Sequence, residues 1–550
     1  MKKYLIITLI LLAAVLRLAN LSHYPAGLNA DEASIGYNAW SLINTGKDEH
    51  GVSWPLVFRS FDDYKPAVYF YLVLPFVKVL GLNIWAVRLP SAILGTLSVY
   101  LLYLLVKELV SKDKSQKDNF LALVSALVLA ISPWHLQFSR GGWEVNVSTF
   151  FIIFSLLSLL YSYKNGQWLY LFSITTTLAL YTYHSARLIL PLIILTTTII
   201  YWKKTQILFN SLNLKNTLLA GLVGIALITP LLFQMLSKEG QSRFTGVSVF
   251  SDEGPVWEAL ELRRQHPQEN KVIRYTHSRY LTYGLRLTKN YLSHFSPRFL
   301  FINGDEIARS KVPEVGQSLL FLAPFFFIGI FNLLKLNFRW KKFILAWFLL
   351  SPLAASLTFQ SPHALRSQNM VIPLSVITGL GLSVFFNYLK SFKLKLLTLG
   401  VTLIFATLLI YDFSRYLHMY YFHYPQELPF AWQYGFDQIA TFAQQNYNKY
   451  DSIIISDRYD QPYILMAFYL HYPPEVLQKE LVMTKRDKFG FSTVRKMGKF
   501  EFRQINWSED KKLTNTLILS ADEPIDDSRV IKTIFDPAGK AMYKFLESDN

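Results

Sequence analysis

Apolar residues fall in long runs near 4–21, 84–106, 120–138, 145–162, 168–183 and 187–202, then 217–236, 317–334, 343–359, 370–389 and 396–413. Runs of this length suit a hydrocarbon layer of roughly 30 Å, so the pattern predicts a polytopic α-helical membrane protein with about eleven transmembrane helices. Three stretches break the pattern: 22–83, 237–316 and the tail from about Tyr424. The tail has a helical period over Phe436–Gln445, a strand-like run over Ser452–Ser456 and another apolar run over Thr516–Leu519. These alternations predict a small α/β domain. The expected division is therefore a membrane domain over 1–423, with 22–83 and 237–316 as its large loops, and a separate domain over 424–550.

The basic residues add an orientation. Lys107, Lys112, Lys114, Lys117, Lys164, Lys203, Lys204, Lys215, Lys335, Arg339, Lys341, Lys342, Lys390, Lys393 and Lys395 fall in one alternate set of connections, and the other set carries far fewer. Positively charged loops stay on the cytoplasmic side. The N-terminus is thus expected in the cytoplasm, with all three irregular stretches outside a plasma (inner) membrane. The net charge of +17 is spread between apolar segments, which argues against a nucleic-acid partner and for topology signals. The run over Tyr4–Leu21 follows Lys2 and Lys3 but lacks a small-residue cleavage pattern, so it reads as the first span rather than a signal peptide. With no cysteine, disulfides, thiolate nucleophiles and thiolate metal sites are excluded.

Chemistry-bearing residues gather at the outward connections. The first loop opens with Asn29-Ala30-Asp31-Glu32 and continues to Trp40 and Thr45-Gly46, with apolar positions Ile35, Ala39, Leu42 and Ile43 that suit an interfacial helix along the membrane surface. Asn29 and Glu32 have capping-box spacing, and acidic groups favour a helix N-terminus. A carboxylate where the first span ends could equally take a proton from an acceptor hydroxyl. Further on, Phe61-Asp62-Asp63-Tyr64-Lys65-Pro66 leads into an aromatic run, with the proline suiting a helix start. Lys65 could snorkel at the interface or meet an anionic phosphate.

An acidic pair soon after the first span, Lys65-Pro66 at a helix start, and Val87-Arg88-Leu89-Pro90-Ser91-Ala92 entering the second span resemble bacterial glycosyltransferases related to protein O-mannosyltransferases and aminoarabinose transferases. These have the GT-C fold and use lipid-phosphate-linked sugars. The resemblance extends over roughly 1–411 and is most specific in its N-terminal third. It implies that Asp31 is a catalytic base and that Glu144 faces the same cavity.

The other outward motifs are Ser132-Pro133-Trp134-His135, Arg140-Gly141-Gly142-Trp143-Glu144, His184 with Arg187, His363 with Arg366, and the loop from Ser293-His294 to Asp305 and Arg309. Arg140 and Glu144 could simply pair at i,i+4, and the His and Arg sets could be interfacial anchors. A His and an Arg three apart at a helix start can also grip phosphate. The expected catalytic set is Asp31, Glu32 and Glu144. The expected substrate-binding set is Lys65, Arg140, His184, Arg187, His294, His363 and Arg366.

The expected reaction moves a sugar, with inversion, from a polyprenyl-phosphate donor to a lipid, glycan or protein acceptor of the cell envelope. Glu32 and Glu144 would orient the acceptor or hold Mg²⁺ or Mn²⁺, with the metal left open. A transporter, a flippase or polymerase of lipid-linked glycans, and a non-catalytic scaffold are the alternatives. Against transport stand the absence of a visible internal repeat and the gathering of charge on one face.

Overall fold

The computed structural model describes residues 2–61, 63–111, 119–237, 246–266, 270–335, 337–391, 394–485 and 492–549. Asp62, Lys112, Lys114, Lys117 and Lys393, used above, lie outside the described residues.

All eleven predicted apolar runs lie on helices. By length and composition, Ile84–Leu109, Glu144–Ser162, Asn213–Leu236, Gln368–Ser391 and Lys395–Glu427 could each cross a membrane unbroken. Two bent pairs reach that standard together: Phe120–Ala130 with Pro133–Ser139, at 58°, and Ala186–Ile200 with Trp202–Phe209, at 91°. The first bend falls at Ser132-Pro133, where proline removes a helical donor and crowds the preceding turn. Tyr4–Leu18, Trp168–Leu180 and Leu320–Leu333 are apolar but shorter. The run at 343–359 is divided between Arg339–Leu350 and Leu353–Ser356. The protein is a multi-pass membrane protein.

The chain forms two compact units. One comprises Met1–Arg17, Ile93–Ser139 and Glu144–Leu417 and holds most of the membrane helices. Its centre is close helix packing: Gly329 and Gly381 lie where an added Cβ would come within 1.9 Å of Ile377 O and 1.7 Å of Phe325 O, so only glycine permits the approach of Ala323–Leu333 to Val371–Ser391. Within this unit Arg17 is fully buried, donating to the carbonyls of Ala13 and Ala130 at 3.0 and 3.2 Å and lying 2.8 Å from His135 Nδ1.

The second unit comprises Leu18–Ala92, Arg140–Trp143 and His418–Asn550. Its tail portion is an α/β layer. Among the described residues seven strands pair in the order Val482–Met483, Val494–Met497, Phe500–Phe502, Ser452–Ile455, Thr516–Ser520, Ala541–Glu547, Val530–Phe535. The middle three are parallel and the flanking pairs antiparallel. Central strands buried on both faces read as continuous apolar runs, as Ile453-Ile454-Ile455 and Leu517-Ile518-Leu519 do. The predicted helix over Phe436–Gln445 is present with those bounds.

The first-loop helix is Ala30–Thr45, ending at Gly46 in the left-handed conformation. It is not an interfacial helix. Ile35, Ala39 and Leu42, the face expected to meet lipid, are buried, and the helix packs against Val68–Leu80 and the tail helix Pro462–Tyr469. Local periodicity reports an apolar face but not what covers it, and here part of the cover comes from more than 400 residues downstream. The proline reading also shifts: Asp63–Pro66 is the second strand of a hairpin with Val57–Ser60, and the helix begins at Val68.

Candidate active site

The acidic pair sits on a complete capping box. Asn29 Oδ1 accepts from Glu32 N at 3.0 Å, and Glu32 Oε2 accepts from Asn29 N at 3.4 Å. Another amide of this turn, Ala30 N–H, donates to Gln433 Oε1 at 2.6 Å, so a tail residue satisfies a donor that the helix leaves open.

Glu32 is fully buried. Arg88 grips it from Nε to Oε1 at 2.8 Å and from Nη2 to Oε2 at 3.0 Å, and Gly142 N–H donates to Oε1 at 2.7 Å. Arg88 gives its other donors to the carbonyls of Leu21 and Pro25, both at 3.0 Å, and Gly27, at 2.6 Å. All five guanidinium N–H groups are thereby used. Its plane lies 5.4 Å from the Trp432 ring centroid, and Trp432 O stands where a Cβ on Gly27 would come within 2.3 Å. Gly27 also has φ +102, so this crossing requires glycine twice over.

Asp31 differs. Its side chain is 24% exposed and pairs with Lys65, which is 7% exposed. Lys65 comes from the second hairpin strand and lies 5.2 Å from the Phe61 ring centroid. One carboxylate of the pair is locked inside, and its neighbour is part-exposed beside a cation.

Glu49, which the sequence reading missed, lies in the same unit. It is fully buried, receiving Asn38 Nδ2 at 2.9 Å and Tyr463 OH at 3.1 Å. Burial pushes its carboxyl up to about 7, against the lowering effect of those hydrogen bonds and of Lys65. No motif marks it; its only sequence signal is a carboxylate in a loop otherwise rich in turn residues.

Three expected residues take structural positions. Arg140 is buried and donates to Tyr420 OH at 3.1 Å and to the carbonyls of Ala19 and Tyr24 at 2.8 and 3.2 Å, so it tethers chain segments rather than facing a substrate. Glu32 is sealed by Arg88 and has no open oxygen for an acceptor. His294, in the first unit, has both ring nitrogens engaged: Nδ1 donates to Asn290 O at 2.9 Å, and Nε2 accepts from His363 N at 3.1 Å. That makes it a neutral imidazole, and burial lowers its pKa to about 4.

His363 and Arg366 occupy the loop that His294 supports. Asp305 Oδ2 accepts Ala364 N–H at 2.6 Å and lies 3.8 Å from His363 Nδ1. Burial pushes Asp305 up to about 6. Arg366 is part-buried and donates to Thr358 Oγ1 at 2.7 Å. Glu144 starts the helix Glu144–Ser162 and is 8% exposed. His184 and Arg187 flank the start of Ala186–Ile200, where Arg187 Nε donates to Leu180 O at 3.3 Å. The expected residues thus divide between the units: Asp31, Glu32, Lys65 and Arg140 in one, and Glu144, His184, Arg187, His294, His363 and Arg366 in the other.

Glu32, one of the two expected metal ligands, is a poor donor to Mg²⁺ or Mn²⁺ because both oxygens already accept charged or backbone donors. Among the described residues no three His, Asp or Glu side chains gather in a metal-binding group.

Residues 64–233 match the family model described as dolichyl-phosphate-mannose-protein mannosyltransferase. The structure aligns with ArnT from Cupriavidus metallidurans over 98% of this chain and 97% of that one, at TM-score 0.53 and 12% identity. The chain has the GT-C glycosyltransferase fold. Another GT-C structure, ArnT from the same organism bound to undecaprenyl phosphate, aligns with the same coverage, TM-score and identity. The archaeal oligosaccharyltransferase AglB from Archaeoglobus fulgidus, in complex with an inhibitory peptide and a dolichol-phosphate, aligns over 85% of this chain at TM-score 0.50 and 13% identity. The chain spans 63% of that enzyme's length. No curated protein sequence matches the chain.

Proposed function

We propose that this protein transfers a sugar from a polyprenyl-phosphate carrier to a hydroxyl of a cell-envelope acceptor, with Asp31 as the general base. The observation that carries the reading is the Asp31–Lys65 pair, accessible at the N-terminus of a helix otherwise fixed inside the protein, in a chain of the GT-C fold. Asp31 takes the acceptor proton as its oxygen attacks the anomeric carbon, and the carrier phosphate leaves from the opposite face, so the configuration inverts.

Lys65 has a double part. In the free protein it neutralises Asp31. An arriving phosphate, with more charge and more acceptor oxygens than a carboxylate, draws Lys65 away and releases the base as the donor binds. No step passes through a metal.

The N-terminus and the charged loops 107–119, 203–216 and 335–342 face the cytoplasm in this reading, and Asp31 and the tail face outward, because the basic residues alternate in that way. Purified protein incubated with polyprenyl-phosphate sugars should release carrier phosphate in step with sugar transfer. Failure with every such donor, alongside donor-independent passage of a solute across proteoliposomes, would replace the reading with transport. Reporter fusions after Lys114 and Tyr424 should report opposite sides.

A further inference from the structure

The first unit contains the three helices Gly254–Arg264, Lys271–Thr276 and Arg279–Ser293, each too short or too polar to cross a membrane. The last is strongly amphipathic, and its polarity is inverted relative to a helix on a soluble protein. Its polar side faces the protein: Thr282 Oγ1 donates to Pro255 O at 2.9 Å, Tyr283 OH to Asp252 O at 2.9 Å, and Asn290 Nδ2 to Thr358 O at 3.0 Å. The opposite stripe is Leu281, Leu285 and Leu292, spaced by four and seven residues on one helical face and exposed by 43%, 61% and 58%. Trp257, Tyr275 and Tyr280 of the same three helices are exposed by 59%, 79% and 75%.

Aromatic rings with polar edges beside leucines are the composition of a surface that lies at the boundary of a bilayer. Charge adds a second, independent indication. Residues 254–293 carry seven Lys and Arg against three Glu. An apolar stripe immersed in acyl chains with a cationic surround is complementary to anionic lipid headgroups.

We propose that the helices Gly254–Arg264, Lys271–Thr276 and Arg279–Ser293 lie in the membrane interface as a docking surface for anionic lipid, with Leu281, Leu285 and Leu292 in the acyl region and the exposed Lys271, Arg274, Arg279 and Lys289 among the headgroup phosphates. The topology proposed above determines only which leaflet is engaged, and the inference does not depend on sugar transfer.

The chain has no cysteine, so a single label can be placed on the intact protein. Nitroxide attached to Leu285→Cys, in full-length protein reconstituted in phosphatidylcholine bilayers with about 30 mol% phosphatidylglycerol as the anionic lipid, should be relaxed strongly by oxygen and weakly by a water-soluble nickel chelate. The same label at Lys532→Cys, an exposed polar position of the tail sheet, should show several-fold greater nickel accessibility. Equal nickel accessibility at the two positions would overturn immersion. Replacing phosphatidylglycerol with phosphatidylcholine should raise nickel accessibility at Leu285→Cys, and the combined Arg274→Gln and Arg279→Gln variant should lose that lipid dependence. Accessibility indifferent to lipid charge would overturn the anionic-lipid assignment. Because Leu285 is exposed, its replacement leaves the packing intact, and a matching label at Leu281→Cys checks the stripe at a second position.

Discussion

The N-terminus of the first-loop helix and the His363 loop solve one problem with different chemistry. In the first, a fully ionic lock, Glu32 on Arg88, holds the backbone from which Asp31 projects. In the second, the donors are uncharged backbone amides: the imidazole of His294 and the carboxyl of Asp305 accept the consecutive amides of His363 and Ala364. A buried carboxylate opposed by guanidinium has its charge matched by a partner, whereas one satisfied only by neutral donors carries the cost of burial as a raised affinity for protons, as Asp305 does. The same unit as the ionic lock contains Glu49, a carboxyl of the neutral-donor type. The comparison separates residues that hold from residues that work, and it predicts different failures when each is altered.

The largest effect should come from Asp31→Asn. Asn29 and Glu32 cap the helix and stay in place, and asparagine has nearly the shape of aspartate, so the fold should persist, while loss of the basic oxygen should lower turnover by roughly 10² to 10⁴ with donor binding retained. Steady-state rates with carrier-phosphate release as readout decide this, and near-normal turnover would remove Asp31 from the chemistry. Next, Arg88→Met should lower stability by about 3 to 5 kcal/mol, because it leaves Glu32 buried without its counter-charge. Adding Glu32→Leu should restore much of that loss in a thermal melt. Recovery of stability without recovery of turnover would show that the lock also sets the position of Asp31.

Glu49 gives a pH signature. Its carboxyl rises from 4.5 to about 7 in the folded protein, so between those values the folded state keeps a proton that the unfolded state has released. Stability from this group is therefore present at low pH and lost as pH rises through about 7, by a total on the order of 3 kcal/mol. Glu49→Gln should abolish that decline while leaving the low-pH stability near the parent's, as measured by melts from pH 4.5 to 8 (roughly the interval over which linkage acts). The smallest effect belongs to Tyr463→Phe, which removes one hydrogen bond from Glu49 and should cost about 1 kcal/mol. A larger loss would mean that the hydroxyl secures the tail to the first loop through more than this single bond.

The helices were legible because each is signalled locally: every predicted apolar run is helical, and the tail helix Phe436–Gln445 emerged with its observed bounds. The capping box at Asn29 and Glu32 was also visible, since its partners are three residues apart. Its second function was not. Arg88 was noticed as part of a motif, but its grip on Glu32 joins positions 56 apart. Arg140 and His294 read as substrate-binding residues because residue type and outward placement fit that role, and neither reveals that backbone carbonyls or amides already occupy the side chain. Glu49 was invisible because its environment is assembled from Asn38 on one side and Tyr463 on the other, the latter 414 residues away.

The bond from Ala30 N–H to Gln433 spans 403 residues. During synthesis the helix bearing Asp31 leaves the ribosome early, and at roughly 5 to 20 residues per second the segment that completes its first turn follows about 20 to 80 seconds later. For that interval the helix start lacks the partner of one amide, the Trp432 ring beside Arg88 and the cover of Pro462–Tyr469. The proposed catalytic carboxylate therefore acquires its final setting only once that distant segment has been made, so an unfinished chain already in the membrane would carry Asp31 on a helix start that is not yet secured.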